Sequence, residues 1–231
     1  MAKILAIDSS SSLCAVGLLL GEHTKSLQSP SQRAAAQSLL PLVDQLLKDS
    51  NTSLTDLDAI AVSAGPGSFT GIRIGIGIAQ GLAEAAQIRV IPVSSMAHTA
   101  WDVGLQADCR FVRVAMHARD DEFYFANFMV EPGNGAFLLG KEYVGTLDSL
   151  ERGSLLGPPE HAAADWIATG SGWEQVPGLL NALGNPELTR PDSKPSVDSL
   201  CSLAAQRLIV GECGEGELPL PNYVKENMDY S

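Results

Sequence analysis

No two cysteines in this sequence stand at the spacing of a metal site or a redox motif. Cys14, Cys109, Cys201 and Cys213 are scattered over 231 residues, and dispersed thiols in a chain this long point to a reducing compartment rather than a disulfide framework. Basic charge is also scarce, with 15 Lys and Arg against 27 Asp and Glu, a formal net charge of −12. A protein that grips a phosphate backbone presents a basic face, and no Lys/Arg cluster here supplies one. RNA or DNA would then be held by a partner; the equal alternative is that acidity only keeps the protein soluble. Long apolar runs are missing too. The most apolar stretch, residues 59–83, is broken by Gly65-Pro66-Gly67-Ser68 and carries Arg73, so its pieces are too short to cross a bilayer. Met1-Ala2-Lys3 leads straight into a strand-like KILAID, without the order of a signal peptide. A cytoplasmic protein without membrane contact is expected.

Catalytic signatures are lacking as well. His23, His98, His117 and His161 stand singly, with no HxxxH or HExxH pair to put two imidazoles on one helical face. There is no GxSxG elbow and no cysteine with a suggestive histidine nearby in sequence. The expectation is no metal site and no catalytic residue, which argues against an enzyme and leaves a peptidase without a visible nucleophile.

What is present is an α/β pattern. Hydrophobic residues at 45% and charged residues at 18% suit one large domain or two small lobes with a proper core. Residues 3–8 and 14–20 read as paired strands around Ser9 to Ser12. Leu39, Val43, Leu46 and Leu47 fall on one helical face within residues 33–48, with Pro41 inside the pattern as a kink or a nearby start. Residues 59–64 read as a buried strand ending at Gly65-Pro66-Gly67. The next stretch alternates like a strand over residues 72–78, yet residues 68–86 offer Ser68 as an N-cap and a helix-favouring end; a helix is expected. Four interior glycines cost that helix roughly 1 kcal/mol each against alanine. Gly71 and Gly75 share one face and Gly77 and Gly81 another, and small residues so spaced let a neighbouring backbone come close.

Residues 88–93 read as a further strand, with Ser94-Ser95 capping a short helix to Trp101. A second lobe opens near Asp108, with a hairpin from residues 111–115 and 122–129 and a third strand at 137–144. Gly157-Pro158-Pro159 marks a looser region. Trp166 to Gly172 reads as strand into turn, and residues 197–210 as an amphipathic helix before an extended tail. The expected division is residues 1–104 and 105–231, with 197–231 packing back on the first lobe. No internal repeat is visible in the sequence.

Three constellations are candidates for chemistry. Asp8, Ser9 and Ser10 put an acid and small hydroxyls at a strand end, where they can face an anion or a metal-bound phosphate; alternatively Asp8 caps its own turn. Gly65, Gly67 and Ser68 form a glycine turn feeding a helix N-terminus, without the lysine of a P-loop or the spacing of a dinucleotide fingerprint. Gly170 and Gly172 form a third such turn. All eight residues are candidates to face a nucleotide.

Together, AIDSSSSLCAVGLL from Ala6, LDAIAVSAGPGSFTGIRIGIGIAQGLA from Leu57 and TGSGW from Thr169 resemble the bacterial TsaB family, also called YeaZ. Pro221-Asn222-Tyr223-Val224-Lys225 is similar to the family's Pro-x-Tyr-Leu-Arg ending. The resemblance implies an actin-like, sugar-kinase-like (ASKHA) fold of two lobes with mixed sheets flanked by helices. It implies a non-catalytic role in forming threonylcarbamoyladenosine at position 37 of tRNAs reading ANN codons. The implied partners are the catalytic paralogue TsaD, the ATPase TsaE and, in isolation, a second copy; tRNA is met only through the complex. ATP or ADP is a candidate ligand at the complex interface. The implied partner surface takes Gly71, Ile74, Gly75, Ile78 and Gly81 from one helix and Leu39 and Val43 from another. The paralogue's metal-binding HMEGH run corresponds here to Ser95-Met96-Ala97-His98-Thr99, with hydroxyls at both ligand positions. Two departures from the family pattern are His117-Ala118-Arg119, where relatives have Asp-Ala-Arg, and a histidine missing from residues 31–35. The competing reading is a nucleotide-hydrolysing or small-molecule kinase of the same fold, with Asp8 organising a metal-bound phosphate.

Overall fold

The computed structural model describes residues 2–29, 35–150, 166–183, 187–188, 195–211, 220–222 and 224. The missing-histidine departure, Gly157-Pro158-Pro159, His161, Cys213, Tyr223 and Lys225 lie outside the described residues.

The chain divides into two compact units, one of Met1–His98 with Ser196–Asn222, the other drawn from Thr99–Pro195. Both carry a five-stranded mixed sheet. In the first, β1 (Lys3–Asp8), β2 (Cys14–Leu20) and β3 (His23–Ser29) form an antiparallel meander, and β4 (Ala59–Gly65) and β5 (Arg89–Ser94) add in parallel beyond β1, giving the order β3-β2-β1-β4-β5. The second has the order β10-β9-β6-β7-β8, with an antiparallel meander of β6 (Phe111–His117), β7 (Phe123–Glu131) and β8 (Gly135–Gly145), then β9 (Trp166–Thr169) parallel to β6 and β10 (Glu187–Leu188) parallel to β9. The second sheet repeats the topology of the first. No repeat is legible in the sequence because topology depends on where strands pair, not on which apolar residues fill them. This duplicated architecture is the actin-like fold.

In the first unit, α1 (Ala35–Asp49) and α2 (Phe69–Ala86) cover one sheet face. Leu39, Val43 and Leu46 of α1 pack with Ile72, Ile76 and Ala79 of α2 on Leu5, Ile7, Val16 and Leu18. Burying each large side chain stabilises by about 1.5–3 kcal/mol. That outweighs the roughly 3 kcal/mol charged to Pro41 inside α1, so the helix runs through it. The opposite sheet face receives α4 (Val197–Val210). Strand alternation puts Gly17, between Val16 and Leu18, on that side. A Cβ at Gly17 would lie 3.1 Å from Cys201 Sγ and 3.2 Å from Val197 Cγ1, so the glycine lets α4 sit down on β2.

Strand β3 is absent from the sequence reading. Its residues, HTKSLQS, are mostly polar and half exposed, and an edge strand held by backbone pairing to β2 leaves little apolar signal. The division of the chain also differs from the expected break after residue 104. It falls inside α3 (Ser95–Ala107), whose first turn is tied to the first unit by a His98 Nε2 hydrogen bond to the Ser196 carbonyl of 2.6 Å. Gly104, later in α3, belongs to the second unit, where a Cβ would meet Val130 Cγ2 at 2.8 Å.

Among the described residues no helix is long and apolar enough to cross a membrane.

Candidate functional site

The turn between β1 and β2 and the turn between β4 and α2 close on each other. The Ser10 amide and hydroxyl both donate to Asp8 Oδ1, at 2.9 and 2.7 Å, so that carboxylate oxygen organises its own turn. The Ser68 amide donates to the Ser10 carbonyl at 2.7 Å, and Ser9 Oγ donates to the Gly71 carbonyl at 2.8 Å. Ser68 Oγ caps α2 by accepting from the Gly71 amide at 3.2 Å. A Cβ on Gly67 would lie 2.3 Å from the Ser10 oxygen, and one on Gly71 2.0 Å from the Ser9 oxygen. The glycines are there because neighbouring backbone occupies the space of a side chain. Gly65 adds a left-handed φ of +101° at the strand end.

The second unit repeats this closure. Gly170, at φ +101°, would place a Cβ 2.2 Å from the Ala115 oxygen, and Gly172 would place one 2.9 Å from the Ala115 carbonyl carbon. Ser171 Oγ accepts from the His117 amide at 3.2 Å, while His117 Nε2 donates to the Asp120 carbonyl at 3.0 Å. The candidate nucleotide-facing residues therefore fall in two sets, Asp8, Ser9, Ser10, Gly65, Gly67 and Ser68 in one unit and Gly170 and Gly172 in the other. At the first set, the Ser68 amide and that of neighbouring Gly71 are already bonded inside the protein, to the Ser10 carbonyl and Ser68 Oγ.

Helix α2 has an inner and an outer side. Gly71 and Gly75 are buried, and a Cβ on Gly75 would meet Ser9 Oγ at 2.5 Å. Leu39 and Val43 of α1 are likewise core residues. These four were expected at a partner surface; their side of the helices is filled by the protein's own sheet. Ile74 and Ile78 are half buried, and Gly77 and Gly81 are exposed with nothing within 4 Å of a built Cβ. Phe69, at the start of α2, is 56% exposed with the Arg73 guanidinium 3.3 Å above its ring.

Several known proteins are similar to this chain. The tRNA threonylcarbamoyladenosine biosynthesis protein TsaB of Escherichia coli is 31% identical over 235 residues, covering 98% of this chain and 96% of that protein. The Haemophilus influenzae protein of the same name is 38% identical over 128 residues, 55% of this chain and 54% of its own. The solved structure of YeaZ from Pseudomonas aeruginosa superposes with a TM-score of 0.83 at 35% identity, covering 96% of this chain and all of that one. The chain belongs to the TsaB (YeaZ) family. A family model for TsaD, tRNA N6-adenosine threonylcarbamoyltransferase, also matches residues 24–176.

In this TsaB-family chain the start of α3 carries hydroxyls with structural partners. Ser94 Oγ accepts from the Met96 amide at 3.2 Å and caps the helix. Ser95 Oγ, buried, donates to the Pro66 carbonyl in the glycine turn. Thr99 and His98 are fully buried. Hydroxyls at 95 and 99 do not make the imidazole pair of a zinc- or iron-type site. Among the described residues no group of three or more His, Cys, Asp or Glu is placed to hold a metal ion. Sequence reasoning gave Ser95 as a cap and missed its bond to the glycine turn; it also missed the roles of Ala115 and of Asn222, whose amide donates to the Ala64 carbonyl at 2.8 Å. Contacts between segments that far apart leave no local pattern. Gly17 did leave one, a lone glycine inside an apolar strand.

Proposed function

We propose that this chain is a non-catalytic subunit required for forming threonylcarbamoyladenosine at position 37 of tRNAs that read ANN codons. It acts in the cytoplasm by pairing with the catalytic paralogue TsaD, together with the ATPase TsaE, and pairs with a second copy when alone. End-to-end similarity to the Escherichia coli TsaB protein supports the pathway. The observation that carries the subunit role is on α2. Gly77 and Gly81 each cost the helix roughly 1 kcal/mol against alanine, and no described atom of the chain uses the space they leave. A partner helix approaching over Gly77 and Gly81, with Ile74 and Ile78 beside them, uses it.

The remaining features agree with a supporting role. At a net charge of −12 the chain repels a phosphate backbone, so tRNA is held by the partner. ATP or ADP, where the complex needs it, is contributed by the interface rather than by the closed β1–β2 and β4–α2 turns. Gly81→Trp tests the reading. The variant is expected to keep the melting temperature of the parent chain and to lose the paralogue in size-exclusion and calorimetric titration. Normal complex formation by Gly81→Trp removes the outer face of α2 from the account.

A further inference from the structure

The turn that launches α2 is held from three distant parts of the chain. Ser10 receives the Ser68 amide at 2.7 Å, Asn222 donates its amide to Ala64 at 2.8 Å, and Ser95 donates its hydroxyl to Pro66. Ser95 is 1% exposed, so its hydrogen bond is made where water cannot substitute for it. The first turn of α2 itself has no slack, since a Cβ on Gly71 would run into the Ser9 carbonyl oxygen. A shift of the Pro66 peptide is therefore passed to α2 as a rigid displacement rather than absorbed.

We infer that Ser95 is a positioning residue for the partner-binding helix: its hydroxyl fixes the Pro66 carbonyl and thereby sets where the outer face of α2 is presented. Ser95 belongs to α3 and α2 to a separate element, so the effect is transmitted through the 64–68 turn. Asn222 braces the same turn at its strand end, which makes the returning C-terminal segment a second support. This inference rests on the proposed function for its partner readout, but not for its structural one.

The test compares Ser95→Ala with Ser95→Thr, which keeps a hydroxyl, in the full chain at a temperature where both are folded. Ser95→Ala is expected to speed amide exchange at residues 71–73 relative to the rest of the unit. It is also expected to weaken binding to the TsaD paralogue by about three- to tenfold, the size of one lost buried hydrogen bond. Ser95→Thr restores both. A purely structural role would lower the melting temperature and raise exchange throughout the unit, without a selective effect at α2. Unchanged exchange at residues 71–73, unit-wide acceleration alone, or no recovery in Ser95→Thr overturns the inference. If Ser95→Ala does not fold, Asn222→Pro removes the amide donor at the other end of the turn. The same local signature is then required of that variant. Failure of the parent chain itself to bind the paralogue counts against the proposed function; the exchange measurement still decides the role of Ser95.

Discussion

At the residue scale, the glycines of α2 are not equivalent, and their substitution separates packing inside the protein from packing outside it. Gly71→Ala forces a Cβ to within 2.0 Å of the Ser9 carbonyl, a backbone atom that cannot move aside. It is expected to destabilise the chain by more than about 2 kcal/mol, within the range of overpacked cores. Gly81→Ala meets nothing within 4 Å and is expected to stabilise the isolated chain by up to about 1 kcal/mol through helix propensity. Thermal or urea melts of the two variants check the pair, and a melt in which Gly81→Ala is the worse of the two contradicts it. Buried thiols give a second prediction. Cys201, on the sheet-facing side of α4 against Gly17, has its thiol pushed up to about 12 by burial first and by the nearby Asp198 charge second. Burial and Asp8 push Cys14 in the same direction. A raised folded value means that the stabilising contribution of the neutral thiol is intact below its ordinary value near 9 and is lost as pH climbs toward 12. Both thiols are expected to resist a thiol reagent at pH 8 in the folded chain and to react on unfolding. Rapid labelling of native Cys201 at that pH is the contrary result.

At the element scale, helix α2 rests on a local conflict that the sequence leaves visible. Ile-Arg-Ile-Gly-Ile-Gly-Ile alternates like a strand, yet the Ser68 cap and the residues from Gln80 to Ala86 favour a helix, and the helix forms over Phe69–Ala86. Packing settles the competition, because Ile72, Ile76, Ala79 and Ala83 share the buried helical side. What the sequence could not supply is which of its two glycine pairs turns inward. That depends on the Ser9 carbonyl arriving from β1, 62 residues before Gly71 by the Ser9–Gly71 hydrogen bond. Strand β3 escaped for the opposite reason, a mostly polar edge sequence held mainly by backbone pairing to β2. Leu40, 47% exposed, extends the outward surface of α1. If the partner approaches α2 over Gly77 and Gly81, Ile78→Asp is expected to lower paralogue affinity by tenfold or more, while reversing the charge at Lys48, near the far end of α1, leaves it unchanged. Titration calorimetry of Ile78→Asp and Lys48→Glu distinguishes them, and equal losses in both contradict a localised face.

At the scale of the whole molecule, the family motifs were legible because they are glycine and hydroxyl turns whose spacing is fixed by close backbone approach. The duplicated sheet topology was not legible, since the two units reach the same strand order with different side chains. Even so, both units use the same device: glycines after the fourth strand of the sheet close on the end of its first strand, at Ser9 and Ser10 in one and at Ala115 in the other. In neither unit do these glycines stand over open space, which is why the turns read better as framework than as catalytic apparatus. On the proposed function, the chain contributes by what it presents to a partner. Reconstituted modification of an ANN-reading tRNA by TsaD and TsaE, with this chain present or omitted, tests that claim most directly. The account predicts threonylcarbamoyladenosine only when the chain is present and its loss with Gly81→Trp; undiminished product without the chain would contradict it.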